Sequence, residues 1–207
     1  MNELQQYHYS VAQGGTREHA IKLHRQRYEE VGFFKKDEVD HYEQISVYFS
    51  AQADDGTVVG VTRLIYAELD ELPTIKHFEI YDLELEKLTQ LDRTRFAEVS
   101  AFTKMPKHEV GAGLIKAVLQ YSLASGLTHW ICCIDERVYK YMQRMIKFPL
   151  KVIGVPQVYL GSVTIPCALQ LSEFLVNLQQ HRPSLYDYFL AGQEETGQEE
   201  TEVRVSV

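Results

Sequence analysis

Apolar and polar positions recur along this chain with two periods, and their order predicts alternating helices and strands. Between Thr16, suited to cap a helix, and Gly32, suited to end one, the residues Ala20, Ile21, Leu23, Tyr28 and Val31 recur at helical spacing. Residues 45–51 and 57–66 are rich in β-branched and aromatic side chains, and Asp54-Asp55-Gly56 between them is a hairpin signal. Asp82 opens a shorter helix with Leu85, Leu88 and Leu91 on one face, and residues 96–103 read as a strand. A long helix is predicted from about residue 109 to 125, where Leu114, Val118 and Tyr121 stack and Gly126 closes it. Residues 127–134 read as a buried strand. Asp135 caps a further helix bearing Val138, Met142, Met145 and Ile146, which Pro149 ends. Residues 151–160 and 163–171, joined at Gly161-Ser162, predict a last hairpin, with one more helix after Ser172.

This order suits an α/β (α+β) fold, a mixed sheet covered by helices. The strand–helix–strand unit over 96–134 should be a right-handed parallel crossover. A chain of 207 residues is read as one domain over 1–191. Residues 192–207 are a polar, repetitive acidic tail, expected to be disordered. From Gln193 onward the tail holds five Glu and one Arg, about half of the net charge of −8.

The acidic balance argues against nucleic-acid binding, which needs clustered Lys and Arg. No run approaches the roughly 18 apolar residues of a membrane span, and the first residues do not read as a signal peptide. Three cysteines, two of them adjacent, make no disulfide framework and suggest a reducing, cytoplasmic compartment. The sequence lacks a P-loop, a dinucleotide-binding glycine motif and a serine nucleophile elbow. Its His and Cys are not spaced as metal ligands, and no metal is expected. What remains is the loop Met105-Pro106-Lys107-His108-Glu109-Val110-Gly111-Ala112-Gly113 before the long helix. Small residues there either free backbone N–H groups for a ligand or are plain loop chemistry.

Several blocks, in this order, resemble the GNAT acyltransferase superfamily. They are Leu23-His24-Arg25-Gln26-Arg27-Tyr28 through Phe33, Val39-Asp40-His41-Tyr42-Glu43, Gly60-Val61-Thr62-Arg63-Leu64 and Phe96-Ala97-Glu98-Val99-Ser100, with the two helices after them. More narrowly, the chain resembles the acyl-homoserine-lactone autoinducer synthases and the long-chain N-acyl amino acid synthases. The resemblance implies a GNAT-like, mostly antiparallel central sheet with one parallel crossover. It implies transfer of an acyl group from a thioester to the amine of a small acceptor, such as an amino acid or S-adenosylmethionine. The co-substrate would be an acyl carrier protein thioester or an acyl-coenzyme A. A generic acetyl-coenzyme A N-acetyltransferase and a non-catalytic acyl-binding module are the competing readings. Ala101 stands where the family usually has Arg, which leaves room for an acceptor other than the lactone precursor.

On that resemblance Glu98 is either the base that takes the amine proton or a structural partner of Arg63. Arg63, Glu98, Asp40 and Glu43 are expected to form one network, with Arg27 and Ser100 beside it and Phe33 and Phe34 over it. The network either recognises the acceptor or is a structural cluster. The pantetheine arm would lie between strands 96–103 and 127–134, meeting Phe102, Thr103, Val110, Gly111 and Gly113. Trp130, Ile131, Cys133, Met142, Met145 and Ile146 either line an acyl tunnel or are ordinary core. Arg137, Lys140, Arg144 and Lys147 recur along one helix, with Lys151 just beyond. This basic stripe either docks an acidic carrier protein or is a solvated face.

Overall fold

The structure, a computed structural model, describes residues 6–192. The acidic tail read from the sequence lies outside the described residues, Gly192 excepted. Eight strands form one sheet: β1 (Tyr7–Val11), β2 (Ser46–Ala53), β3 (Val58–Ile65), β4 (Phe96–Lys104), β5 (His129–Asp135), β6 (Lys151–Val152), β7 (Gln157–Tyr159) and β8 (Ser162–Gln170). Their order is β1-β2-β3-β4-β5-β8-β6, with β7 also on β8. The helices are α1 (Gly14–Glu30), α2 (Pro73–His77), α3 (Asp82–Thr89), α4 (Gly111–Ala124), α5 (Glu136–Tyr141), α6 (Leu171–His181) and α7 (Pro183–Leu190). All strand pairs are antiparallel except β4–β5, which α4 connects. The mixed, mostly antiparallel sheet with one parallel crossover is therefore as the sequence implied.

The core follows the strand pattern. All eight residues of β3 are buried, as befits a strand covered on both faces. On β2, Tyr48 faces α1 with Ala20 and Leu23, while Phe49 faces α4 with Leu114 and Val118. Farther along the α1 face, Leu72 before α2 and Leu88 of α3 pack on Ile65, Phe96 and Ile131. On the α4 face, Trp130, Leu169, Phe148 and Phe174 complete the core.

Several boundaries differ from the sequence reading. The edge strand β1 has no strong apolar alternation, and α2 is too short to show a period, so neither was foreseen. The helix after β5 starts as read, with the Asp135 carboxylate accepting the Arg137 N–H. It does not run unbroken to Pro149. It becomes a π turn over Met142–Ile146, and Lys147 ends it in the left-handed region at φ 63°. The strand expected over 151–160 is two pieces. Between them the backbone turns to meet residues 79–81, where Val155 N–H donates to Glu79 O at 2.8 Å and Tyr81 N–H to Ile153 O at 2.9 Å.

That contact needs a glycine. A Cβ on Gly154 would lie 2.3 Å from the Glu79 carbonyl oxygen, a backbone atom that cannot swing away. Gly154→Ala is expected to cost roughly 1–3 kcal/mol. Thermal denaturation should show a fall in Tm of about 2–10 °C.

Candidate active site

The parallel ladder between β4 and β5 is short. Phe96 pairs with His129, Ala97 with Trp130 and Glu98 with Ile131. Beyond Glu98 and Ile131 the two strands run on without pairing to each other. Both strands stay fixed on their outer sides, β4 by β3 and β5 by β8. The splay is helped by a bulge in β4. Arg63 pairs with Ser100 and Val61 with Thr103, so Ala101 and Phe102 stand opposite Thr62 alone. Ala101 adopts φ 56°, a left-handed conformation that an L side chain rarely takes.

A cavity of about 750 Å³ opens where the strands part. That is a size for a small-molecule site. Val99, Ser100, Ala101 and Phe102 line it from β4, and Cys132, Cys133, Ile134 and Asp135 from β5. The cavity reaches both faces of the sheet. On the α1 face it meets Tyr28, Phe33, Phe34, Asp40, Arg63, Glu98 and Tyr159. On the α4 face it is apolar, walled by Ile115, Trp130, Met142, Phe148, Leu150 and Leu169.

The charged groups divide into separate sets rather than one network. Arg63 is 3% exposed and donates through Nη1 to Asp40 Oδ2 and, at 3.0 Å, to the Tyr48 hydroxyl. The strand register explains this, since Tyr48 is the β2 neighbour of Arg63. Glu98 is 1% exposed and does not pair with Arg63. Its Oε2 accepts the Thr74 N–H and its Oε1 the Thr74 hydroxyl, both at 2.9 Å. Burial raises its carboxyl to about 7, against the Thr74 hydrogen bonds and the Arg63 charge, which pull it down. Glu43 lies apart. Its carboxylate is 4.0 Å from Arg25 and its carbonyl accepts from Arg17.

Other expected residues are corrected by their positions. Arg27 does not line the cavity; it pairs with Glu30. On α1 the inward stripe is His24 and Tyr28, and Arg27 falls beside it. His24 is fully buried between Tyr28, Phe34 and Tyr48, and burial holds its imidazole down at about 3. Thr103 pairs with Val61 outside the cavity. Val110 and Gly113 are packing positions. Val110 presses on Gly60, and a Cβ on Gly113 would lie 2.0 Å from the Tyr9 ring. Gly111 sits near the Phe102 ring, and it too is outside the cavity. Met145 and Ile146 border a separate surface groove with Arg182 and Leu185. Ile131 is core. Phe33, Asp40, Arg63, Glu98, Ser100, Phe102, Trp130, Cys133 and Met142 do come together around the cavity. Tyr28, Tyr42, Thr74, Lys76, His77 and Tyr159 were not singled out as site residues. Tyr28 read as one more core aromatic, and Thr74 had no periodic element to place it.

The basic stripe is also less simple than its spacing. Arg137 pairs with Asp135, Lys140 with Glu136 at 3.0 Å and Lys151 with Glu84 at 2.7 Å. Arg144 lies in the π turn and Lys147 at its end, and among the described residues neither makes an ion pair. No group of three or more His, Cys, Asp or Glu among the described residues is arranged to hold a metal. No helix among them is long and apolar enough to cross a membrane.

Among solved structures, the chain is similar to FeeM, an N-acyl amino acid synthase from uncultured soil microbes, at TM-score 0.70 and 18% identity, over 87% of this chain and 99% of that one. It is similar to BjaI, a coenzyme A-dependent acyl-homoserine lactone synthase, at TM-score 0.62 and 17% identity, over 92% and 90%. It is similar to the acyl-homoserine-lactone synthase LasI at TM-score 0.59 and 18% identity, over 81% and 91%. These likenesses establish the fold. No curated protein sequence matches the chain. The sequence itself matches the family model described as N-acyl amino acid synthase FeeM over residues 19–171, a span holding every residue that lines the large cavity. The chain therefore belongs to the FeeM family of N-acyl amino acid synthases and is an acyltransferase.

Proposed function

We propose that this acyltransferase moves an acyl group from the pantetheine thioester of an acyl carrier protein to the amine of a small acceptor, such as an amino acid or S-adenosylmethionine. The observation that carries the reading is the buried carboxylate of Glu98 at the point where β4 and β5 part. A pantetheine arm fits between the two unpaired strand edges, whose backbone groups can hydrogen-bond it. The acyl chain follows the apolar wall of Trp130, Met142, Phe148 and Leu169. The acceptor enters from the α1 face, among Tyr28, Phe33, Asp40, Arg63 and Ser100. Glu98 takes a proton from the acceptor amine, directly or through a water. The new C–N bond forms as the C–S bond breaks, and the carrier thiolate leaves and takes a proton. Catalysis needs no metal in this scheme, because a thioester is already reactive.

The donor follows from the α4 entry. Gly113 is consumed in packing on Tyr9, and Val110 in packing on Gly60, so this turn offers little cradle for a coenzyme A pyrophosphate. A carrier protein has no such group to hold. Its acidic surface would meet Lys140, Arg144 and Lys147, with Arg137 and Lys151 at the margin. Coenzyme A thioesters are the alternative donor, as the description of BjaI illustrates for that protein.

Two measurements test the reading. As a base Glu98 must be ionised, so kcat/KM should rise with pH through about 7. Glu98→Gln should lose that limb and lower kcat by about 10²–10⁴. The same raised carboxyl favours the folded state fully below its ordinary range near 4.5, and that contribution is lost as pH rises through about 7. The wild-type Tm should therefore fall across this window relative to Glu98→Gln. Lys140→Glu with Arg144→Glu should raise the apparent KM for an acyl carrier protein thioester and leave a short acyl-pantetheine donor unaffected. Equal loss with both donors would remove the docking assignment.

A further inference from the structure

The base assigned above is held by a residue outside every sequence block that resembles the family. We propose that Thr74 is the positioning residue of Glu98, fixing the orientation of its carboxylate toward the cavity through two hydrogen bonds. This inference rests on the reading of Glu98 as the base.

The geometry is specific. A buried carboxylate is normally met by a cation. Arg63, the nearest candidate, spends Nη1 on Asp40 and Tyr48. Among the described residues no Lys, Arg or His makes an ion pair with Glu98. Instead one residue supplies both of its protein donors, an N–H to Oε2 and an O–H to Oε1, each at 2.9 Å. Thr74 is itself fully buried. It sits just after Pro73, which has no N–H, so its own N–H is the first donor of the α2 turn. The turn is anchored by fully buried Leu72, whose carbonyl accepts the Lys76 N–H at 2.9 Å. A two-point grip fixes the plane of the carboxylate, and each oxygen keeps lone-pair capacity for the amine or its water.

Several of the groups around Glu98 stay in one charge state near neutrality. Arg63 faces it from β3 and remains charged. Cys133 on β5 is pushed up to about 12 by burial. Burial likewise raises Cys132. Tyr159 on β7 is pushed up to about 12, and Tyr42 is raised, both chiefly by burial. Lys76 and His77 of the same turn border the cavity beside them. The Thr74 donors favour the ionised carboxylate, so losing one makes ionisation harder.

Thr74→Val keeps the shape and the N–H but removes the hydroxyl. The test is the pH profile of kcat/KM, with KM and kcat separated, for wild type, Thr74→Val, Thr74→Ser and Glu98→Gln. The expected result is an acid limb moved up by about one unit in Thr74→Val. That appears as about a tenfold loss at pH 6 and less than about a twofold loss at pH 8.5. Thr74→Ser, which keeps the hydroxyl, should restore the wild-type limb. Should Thr74→Val not fold, judged by its thermal transition, Thr74→Ala gives the same readout. An unmoved limb, or a loss equal at every pH, overturns the role of Thr74. If Glu98→Gln keeps the wild-type limb, the base assignment itself fails. If Glu98→Gln loses the limb while Thr74→Val leaves it in place, only Thr74 is refuted.

Discussion

Everything distinctive about this molecule depends on a parallel ladder that stops after three residue pairs. Two neighbouring strands in a sheet ordinarily satisfy each other's backbone groups along their whole length. Here β4 and β5 do so only to Glu98 and Ile131. Their outer partners, β3 and β8, prevent them from closing again. The extra residue at Ala101 adds local strain and twist to β4 where the strands part. The result is a gap in the middle of a sheet, where the two strands' backbone edges do not pair with each other and core lies on both sides. On the proposed reading, small-molecule chemistry enters there, where the two strands part inside a hydrophobic layer.

On the proposed reading, the vertex of the gap also explains why a carboxylate there suits the role of a base. Glu98 sits on the last paired rung, so its backbone is rigid while its side chain borders the cavity. Burial makes its charged form expensive, and only the Thr74 donors and the more distant Arg63 offset that cost. Arg63 would have been the more obvious partner. Strand register gives it instead to Tyr48, and Asp40 pairs with it as well. Burial brings Glu98 to about 7, while its cysteine and tyrosine neighbours stay protonated near neutrality.

Much of this was legible in the sequence, for physical reasons. The mostly apolar runs of β3 and β5 announce buried strands, and the Leu114–Val118–Tyr121 stripe announces the crossover helix. Arg63 stood out because a charge in an apolar strand needs a partner, while Glu98 and Asp40 stood out through the family resemblance. What was not legible was long-range register. The need of Arg63 for a partner suggested Glu98 as one alternative, whereas pairing with β2 turns it to Tyr48. Gly113 looked like a ligand-binding loop because glycine permits many approaches, and the approach it makes is to the Tyr9 ring. Thr74 sits in a five-residue helix, below the length at which periodicity carries information. The π turn after Tyr141 leaves no mark in the apolar pattern, so the basic stripe looked like one regular face.

The passage of the cavity through the sheet has a consequence for how such a protein can diverge. On the proposed reading, the sheet itself separates what is recognised from what is attached. Substitutions at Phe33 or Ser100 and substitutions at Phe148 or Leu169 act on opposite sides of a rigid layer and share no partner. Side chains without shared contacts change free energies nearly additively. A lineage built on this frame can therefore retune its amine without disturbing its chain length, and the reverse, with the vertex carboxylate common to every combination.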